Sequence, residues 1–339
     1  MKKAPGLKQK AVGSFDIVVS TSSTLEPQCS ARWQLALRGR GANWRAVSTE
    51  PSLDLDDAGR ATSCPLCRSA AQDAIEPFNS YAMAKCPECS FVYTALRRIP
   101  RAQYEEVYSG EADYREMVEV AEKTARGDWG FRQLRWFKRK ALRWIETERP
   151  NSRILDVGTG PGTFLLVAKQ RGFGVKGVEP TKLAAEKARS LGVDMFNGVV
   201  EDFAAGEHEK FDVVTSFEVM EHVPDPISML KSIRAVLKPD GLFVFSVPNL
   251  DDPYCLRQTL PVNIPPIHIN FFRRQSMRVA LENAGFVTER FATRPIPAAS
   301  VRNEYGLSGL ILRAPMLGVL SLLGKSEGNT LLGMARPRP

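Results

Sequence analysis

The stretch Ile154-Leu155-Asp156-Val157-Gly158-Thr159-Gly160-Pro161-Gly162-Thr163-Phe164 decides how this chain is read. An apolar run runs into three glycines at alternate positions, and a helix-compatible apolar stretch starts straight after them. Glycines in such a loop let the backbone turn with positive φ and come close to a bound group. In a hydride-transferring dinucleotide site the third glycine would fall at position 163, where this chain has Thr163, so the spacing departs from that fingerprint. Seventeen residues past Gly162, at the end of a second apolar run, stands Glu179. A carboxylate there can accept hydrogen bonds from both hydroxyls of a ribose. Loop and acid together read as a nucleoside site.

Outward from the loop, strand and helix patterns alternate. Strands are expected at residues 154–157, 175–178, 211–217 and 242–247, with helices at 163–171, 182–190 and 226–237. A further helix at 274–284 ends at Gly285 and feeds a strand near 286–294, and a last strand falls at 329–336. The alternation predicts an α/β fold: a Rossmann-like, doubly wound, mostly parallel seven-stranded sheet within residues 150–339, with ligands at the carboxyl ends of the strands. Residues 97–149 read as a helical linker and cofactor-covering helices, striped by Trp136, Phe137, Ala141, Trp144 and Ile145. Seven basic residues and one acid, Asp128, lie between Arg126 and Arg143. They are expected to form a solvated face whose long stems cover apolar surface, with an anionic-ligand face as the alternative. Residues 307–323 are apolar but broken by Arg313 and Pro315, which predicts a helical insertion near 298–325 in place of a membrane span, with a peripheral membrane contact as the alternative.

The chain has 339 residues, 43% hydrophobic and 25% charged, which excludes wholesale disorder. The balance of 46 Lys and Arg against 38 Asp and Glu, a net +8, is too mild for a dedicated nucleic-acid-binding protein. Lys2 and Lys3 are followed by an apolar stretch too short for a signal-peptide core, so a cytoplasmic protein with no membrane span is expected. Residues 1–61 lack sustained periodicity and read as a mostly disordered leader. Of six cysteines, four form Cys64-Pro65-Leu66-Cys67 and Cys86-Pro87-Glu88-Cys89, 18 residues apart. That spacing predicts a zinc ribbon over residues 62–96 with a closed, structural Zn2+ on Cys64, Cys67, Cys86 and Cys89. Cys29 and Cys255 are left as ordinary thiols.

Directly after the strand expected at 211–217 comes Glu218-Val219-Met220-Glu221-His222. If helical, positions 218, 221 and 222 share one face at the carboxyl edge of the sheet. His268, in Pro265-Pro266-Ile267-His268, could face the same cleft, whereas His208 sits in a polar loop. Two carboxylates and two imidazoles suit a divalent cation that binds a hydroxyl and lowers its pKa; a metal-free site would use His222 or His268 as general base; a bracing role for Glu221 and His222 is the third reading.

Residues 150–250 resemble the core of class I S-adenosylmethionine-dependent methyltransferases. The matching motifs are Leu155 to Gly162, Gly177-Val178-Glu179-Pro180, Phe211-Asp212-Val213-Val214 and Leu237-Lys238-Pro239-Asp240-Gly241. The resemblance implies that Gly158, Gly160 and Gly162 line the methionine and ribose parts of S-adenosylmethionine, that Glu179 holds the ribose, and that Asp156 and Glu218 border the same site. An acid often contacting adenine would fall near Val199, so Glu201 or Asp202 is expected to take that role. Glu-x-x-Glu-His is similar to the ubiquinone-pathway O-methyltransferases and small-RNA 2′-O-methyltransferases, which implies a second divalent cation at Glu218, Glu221, His222 and His268. The order of ribbon, Tyr-rich segment and core over residues 62–339 also resembles a bacterial group that often acts on sugars or polysaccharide precursors. The expected activity is therefore O-methylation of a sugar-like or other small-molecule hydroxyl, with Glu221, His222 and His268 activating the acceptor. RNA methylation and a non-catalytic binding module with a residual cofactor site are the alternatives.

Overall fold

Along the central strands, neighbouring residues are buried on opposite faces. Ile154, Val213, Leu242 and Val244 join one apolar cluster while Leu155, Val214, Phe243 and Phe245 join another. A sheet apolar on both faces must be covered on both, and the intervening helices do this. The computed structural model describes residues 55–78, 81–97, 112–206, 209–252, 265–294 and 328–339. Cys29, His208, Cys255, the Tyr-rich segment at 98–111 and the insertion expected near 298–325 lie outside the described residues.

The elements in chain order are β1 (Asp73–Phe78), β2 (Tyr81–Lys85), β3 (Val92–Thr94), α1 (Ala112–Arg126), α2 (Trp136–Glu148), β4 (Arg153–Val157), α3 (Thr163–Gln170), β5 (Gly174–Glu179), α4 (Lys182–Ser190), β6 (Asp194–Asn197), α5 (Val200–Gly206), β7 (Phe211–Phe217), α6 (Pro226–Val236), β8 (Leu237–Pro248), β9 (Asn270–Phe271), α7 (Arg274–Asn283), β10 (Phe286–Ala292) and β11 (Thr330–Pro337). The seven-stranded sheet has the order β10-β11-β8-β7-β4-β5-β6. β4 to β8 pair in parallel, and β11 runs antiparallel to both its neighbours. This is the doubly wound α/β sheet expected from the alternation. Chain order leaves β4 through β5 to β6 on one side and resumes with β7 on the other, so a crevice opens at the carboxyl ends of β4 and β7.

The helix considered for residues 218–222 needs correction. The chain leaves β7 with Glu218 at φ +58°, makes a single 3-10 turn at Met220–His222, and exits through an extended Val223. Pro224 disfavours helical backbone at the residue before it, which ends the turn there. α6 then starts with Pro226 in its first turn, and the Asp225 carboxylate caps it by accepting from the Ile227 and Ser228 N–H groups at 3.1 Å each.

The cysteine-bearing segment is stitched to the rest of this fold. Its sheet has the order β1-β2-β3-β9, so its fourth strand comes from the chain after β8. Cys64, Cys86, Cys89, Phe91 and Tyr93 are buried in the same cluster as residues of α6 and α7. Upstream of residue 62, Leu55 bridges Ala61 and Arg60 bridges Leu96.

Candidate cofactor and acceptor site

The glycine loop sits at the crevice, with Gly158, Gly160 and Gly162 at φ +76°, +59° and +92°. A Cβ on Gly158 would lie 2.3 Å from Val219 Cγ2, so the loop after β4 touches the loop after β7 with no room for a methyl group. Glu179, at the end of β5, is buried and reaches across: Oε2 accepts from the Gly160 N–H at 2.8 Å and Oε1 from the Thr181 N–H at 2.9 Å. Burial pushes its carboxyl up, against the pull of those two hydrogen bonds. The Thr181 side chain also hydrogen-bonds this carboxylate, whose remaining lone-pair directions can accept from a hydroxyl donor. Along α1, Met117 Cε lies 3.3 Å from the Cβ position of Gly160, and the buried Tyr114 hydroxyl has no hydrogen-bond partner among the described residues. α1 therefore covers the loop.

Beneath the loop, Asp156 Oδ1 accepts from the Thr215 hydroxyl at 2.6 Å. Burial raises its carboxyl to about 6, opposed by the charge of Lys138 and by that hydrogen bond. Lys138 is itself pushed down by burial and held up by Asp156. The basic stretch of α2 is thus not wholly a solvated face. Lys138 Nζ lies 5.5 Å from the centre of the Phe217 ring and its charge acts on Asp156 and Glu218, while the Arg135 charge acts on Glu218 and Glu221. Glu201, in the first turn of α5, is half-buried and raised to about 7 chiefly by burial, while Asp202 is exposed.

Across the crevice, ligand atoms of Glu221, His222 and His268 all lie within 4.8 Å of one another. The two imidazole centroids are 4.7 Å apart. His222 Nδ1 is 2.9 Å from the Ile267 carbonyl, which can only accept, so Nδ1 carries the proton and Nε2 the lone pair. Nε2 stands 3.9 Å from Glu221 Oε1, while the buried Glu221 Oε2 has no hydrogen-bond partner among the described residues. Burial depresses His222 to about 4; burial and then the neighbouring His222 depress His268 to about 2. Burial, followed by the Glu218 charge, raises Glu221 well above the usual carboxylate range. At neutral pH the imidazoles are therefore uncharged, the state in which a ring nitrogen can accept a hydrogen bond or ligate a cation. Glu218 stands outside this triad, accepting from the Ser246 hydroxyl at 2.7 Å, with its own carboxyl raised by burial.

The four cysteine sulfurs also lie within 4.8 Å of one another, with Cys64 to Cys89 at 3.6 Å and Cys67 to Cys86 at 3.5 Å. An ion about 2.3 Å from each of four tetrahedral sulfurs would set neighbours about 3.8 Å apart. The two Cys-x-x-Cys turns share one geometry. Arg68 and Ser90, each next after the second cysteine, have φ +61° and +58°, and the N–H of the first cysteine donates to Ser69 and Phe91 carbonyls at 2.8 and 2.9 Å.

Residues 129–290 match the family model described as a methyltransferase domain. That span is a methyltransferase domain. The chain is 39% identical over 107 residues to the ubiquinone biosynthesis O-methyltransferase of Actinobacillus pleuropneumoniae serotype 5b, covering 29% of this chain and 46% of that protein. It thus spans about half the length of such relatives. A protein of the same name from Ralstonia nicotianae is 28% identical over 219 residues, covering 61% of this chain and 87% of that one. A SAM-dependent methyltransferase structure from Archaeoglobus fulgidus aligns with TM-score 0.47 at 18% identity, covering 69% of this chain and 98% of that one. Within the methyltransferase domain the sequence reading singled out the glycine loop, Glu179 and the Glu221-His222-His268 group. It missed Lys138, whose alternation with apolar α2 positions was the available signal, and it missed Asn270 and Arg97, which carry no local signature.

Proposed function

We propose that this chain transfers the methyl group of S-adenosylmethionine to a hydroxyl oxygen of a small-molecule acceptor. One observation carries this reading: a glycine loop braced by a buried carboxylate and a neutral two-imidazole cluster meet at the same switch point of the sheet. The names of the partial relatives supply the oxygen as nucleophile. A sulfonium is already an activated methyl donor, so the protein's work is alignment and proton removal. Gly158, Gly160 and Gly162 bring bare backbone against the donor, Glu179 receives the ribose hydroxyls, Glu201 lies on the adenine side, and Lys138 offers its charge to the donor's carboxylate. As the acceptor oxygen bonds to the methyl carbon and the carbon–sulfur bond breaks, the hydroxyl proton passes to His222 Nε2. His268 and Glu221 flank that nitrogen.

A second reading rests on the partnerless Glu221 Oε2: Glu221, His222 and His268 would hold a divalent cation, which would supply Lewis acidity to the hydroxyl. The chemistry of four thiols at these separations fits Zn2+ on Cys64, Cys67, Cys86 and Cys89, where it would supply folding energy. A sugar-like metabolite or polysaccharide precursor is the acceptor class we favour. Incubation with methyl-labelled S-adenosylmethionine and fractionated cell extract tests this. Label in small glycans supports the reading, whereas label confined to RNA, or no label in any pool, overturns it.

A further inference from the structure

Arg97, three residues past β3, is 1% exposed, and its guanidinium donates to four neutral oxygens on two segments. Nε and Nη2 donate to the Pro224 carbonyl at 3.1 and 2.7 Å, and Nη2 also reaches the Val223 carbonyl at 3.2 Å. Nη1 donates to the Ile269 carbonyl at 3.1 Å and Nη2 to Asn270 Oδ1 at 2.6 Å. Asn270 extends the grip, its Nδ2 donating to the Met220 and Val223 carbonyls at 2.7 Å each. The two segments held in this way carry the acceptor-side groups. Residues 219–224 hold Glu221 and His222, and residues 267–271 hold His268. They are joined directly as well, by the Ile269 N–H to the Glu221 carbonyl at 2.8 Å and by His222 Nδ1 to the Ile267 carbonyl at 2.9 Å. A rigid planar fork spreads five donors over three nitrogens in fixed directions and so reaches separated carbonyls on two segments at once; an ammonium carries its three donors on one atom.

The other end of the clamp belongs to the cysteine-bearing sheet. The Arg97 N–H donates to the Gly59 carbonyl at 2.9 Å, the Thr94 N–H to the Ile269 carbonyl at 3.0 Å, and β3 pairs with β9. Arg68, next after Cys67, pairs with Asp225 at 3.0 Å, on the far side of the same turn. We propose that Arg97 is a positioning residue that sets the mutual placement of Glu221, His222 and His268 and ties that placement to the four-cysteine cluster. The inference rests on the acceptor role given to that triad.

The chain has three histidines, so nitrogen NMR of the full-length protein, with histidine substitutions for assignment, reads each imidazole separately. The wild type should show His222 as the Nδ1–H tautomer. Arg97→Gln should shift the His222 and His268 nitrogen signals and mix the His222 tautomers, while calorimetric affinity for S-adenosylmethionine stays within about twofold and kcat on the labelled pool falls at least about tenfold. Arg97→Lys, which keeps charge without the fork, should show the same shifts to a lesser degree, and it decides the matter if Arg97→Gln does not fold. Adding a zinc chelator to the wild type should reproduce the histidine shifts. Unchanged histidine signals in the variants would overturn the proposal, as would parallel loss of donor affinity and kcat. A wild type that fails to bind S-adenosylmethionine sinks the methyltransferase reading instead, and the histidine signals still report on the clamp.

Discussion

Gly158 shows how little freedom the donor side has. Its φ of +76° is the left-handed region, and an added Cβ would meet Val219 Cγ2 at 2.3 Å. Gly158→Ala should therefore destabilise the fold by about 1–3 kcal/mol and displace the loop that carries Glu221. Thermal unfolding checks the first effect and the nitrogen NMR signals of His222, on the same loop, the second. Glu179→Ala removes charged hydrogen bonds worth about 1.5–3 kcal/mol, so donor affinity should fall roughly 10- to 100-fold; unchanged affinity would remove Glu179 from the site. The histidines give a pH signature. Below about pH 6.5 the unfolded chain takes up a proton at His222 that the folded chain refuses until about pH 4, so this residue costs stability as pH falls through that window. His222→Gln should flatten the acid-side decline by about 1.4 kcal/mol per pH unit, measured by urea unfolding at pH 7, 6 and 5. Asp156 acts in the opposite sense: its folded carboxyl stays protonated to about 6 against an ordinary 3.8, so its cost appears as pH rises between those values. Glycine spacing and the Glu179 offset were legible because loop and acid lie on consecutive strands. Arg97 was not, because its acceptors lie 126 to 173 residues away in sequence.

At the scale of elements, the sequence carried the strands well wherever both faces are apolar, since continuous Val, Ile, Leu and Phe runs leave few alternatives. It carried residues 218–222 poorly. The i, i+3, i+4 spacing of Glu218, Glu221 and His222 is that of a helix face, yet two prolines and a left-handed Glu218 leave only one 3-10 turn. The turn still brings Glu221 and His222 together, while Glu218 is drawn aside to Ser246. The cysteine sheet is the element with most to lose from its ion. β3 has three residues and β9 two, so their hydrogen bonds need support from the two cysteine turns. With a structural ion present, analysis should find one zinc per chain. A chelator should then remove hydrogen-exchange protection from residues 81–97 and 269–271 first, with β4, β5 and β7 keeping theirs. Loss of protection throughout at the same chelator concentration would show that the cysteine sheet and the main sheet unfold as one unit.

Over the whole molecule, the reversal of strand order between β4 and β7 separates the chemistry into two banks. The donor bank comes from the β4 and β5 ends and is covered by α1. The acceptor bank comes from the β7 end and from residues 267–271, held by Arg97. The banks meet where Val219 packs on Gly158 and where the Lys138 charge acts on both Asp156 and Glu218. This arrangement predicts separable defects. His222→Gln removes the proposed proton acceptor, which belongs to the acceptor bank, so it should lower kcat by about 10²–10⁴ while S-adenosylmethionine affinity stays near that of the wild type. Lys138→Met removes a cation whose charge acts on both Asp156 and Glu218, so it should weaken donor binding and slow turnover together. It should also let Asp156 rise further above about 6, because the opposing charge is gone while the burial remains. Titration of Asp156 by carbon NMR in the variant reads that shift directly. A Lys138→Met protein with wild-type donor affinity and an unmoved Asp156 would mean that the two banks do not communicate through this side chain.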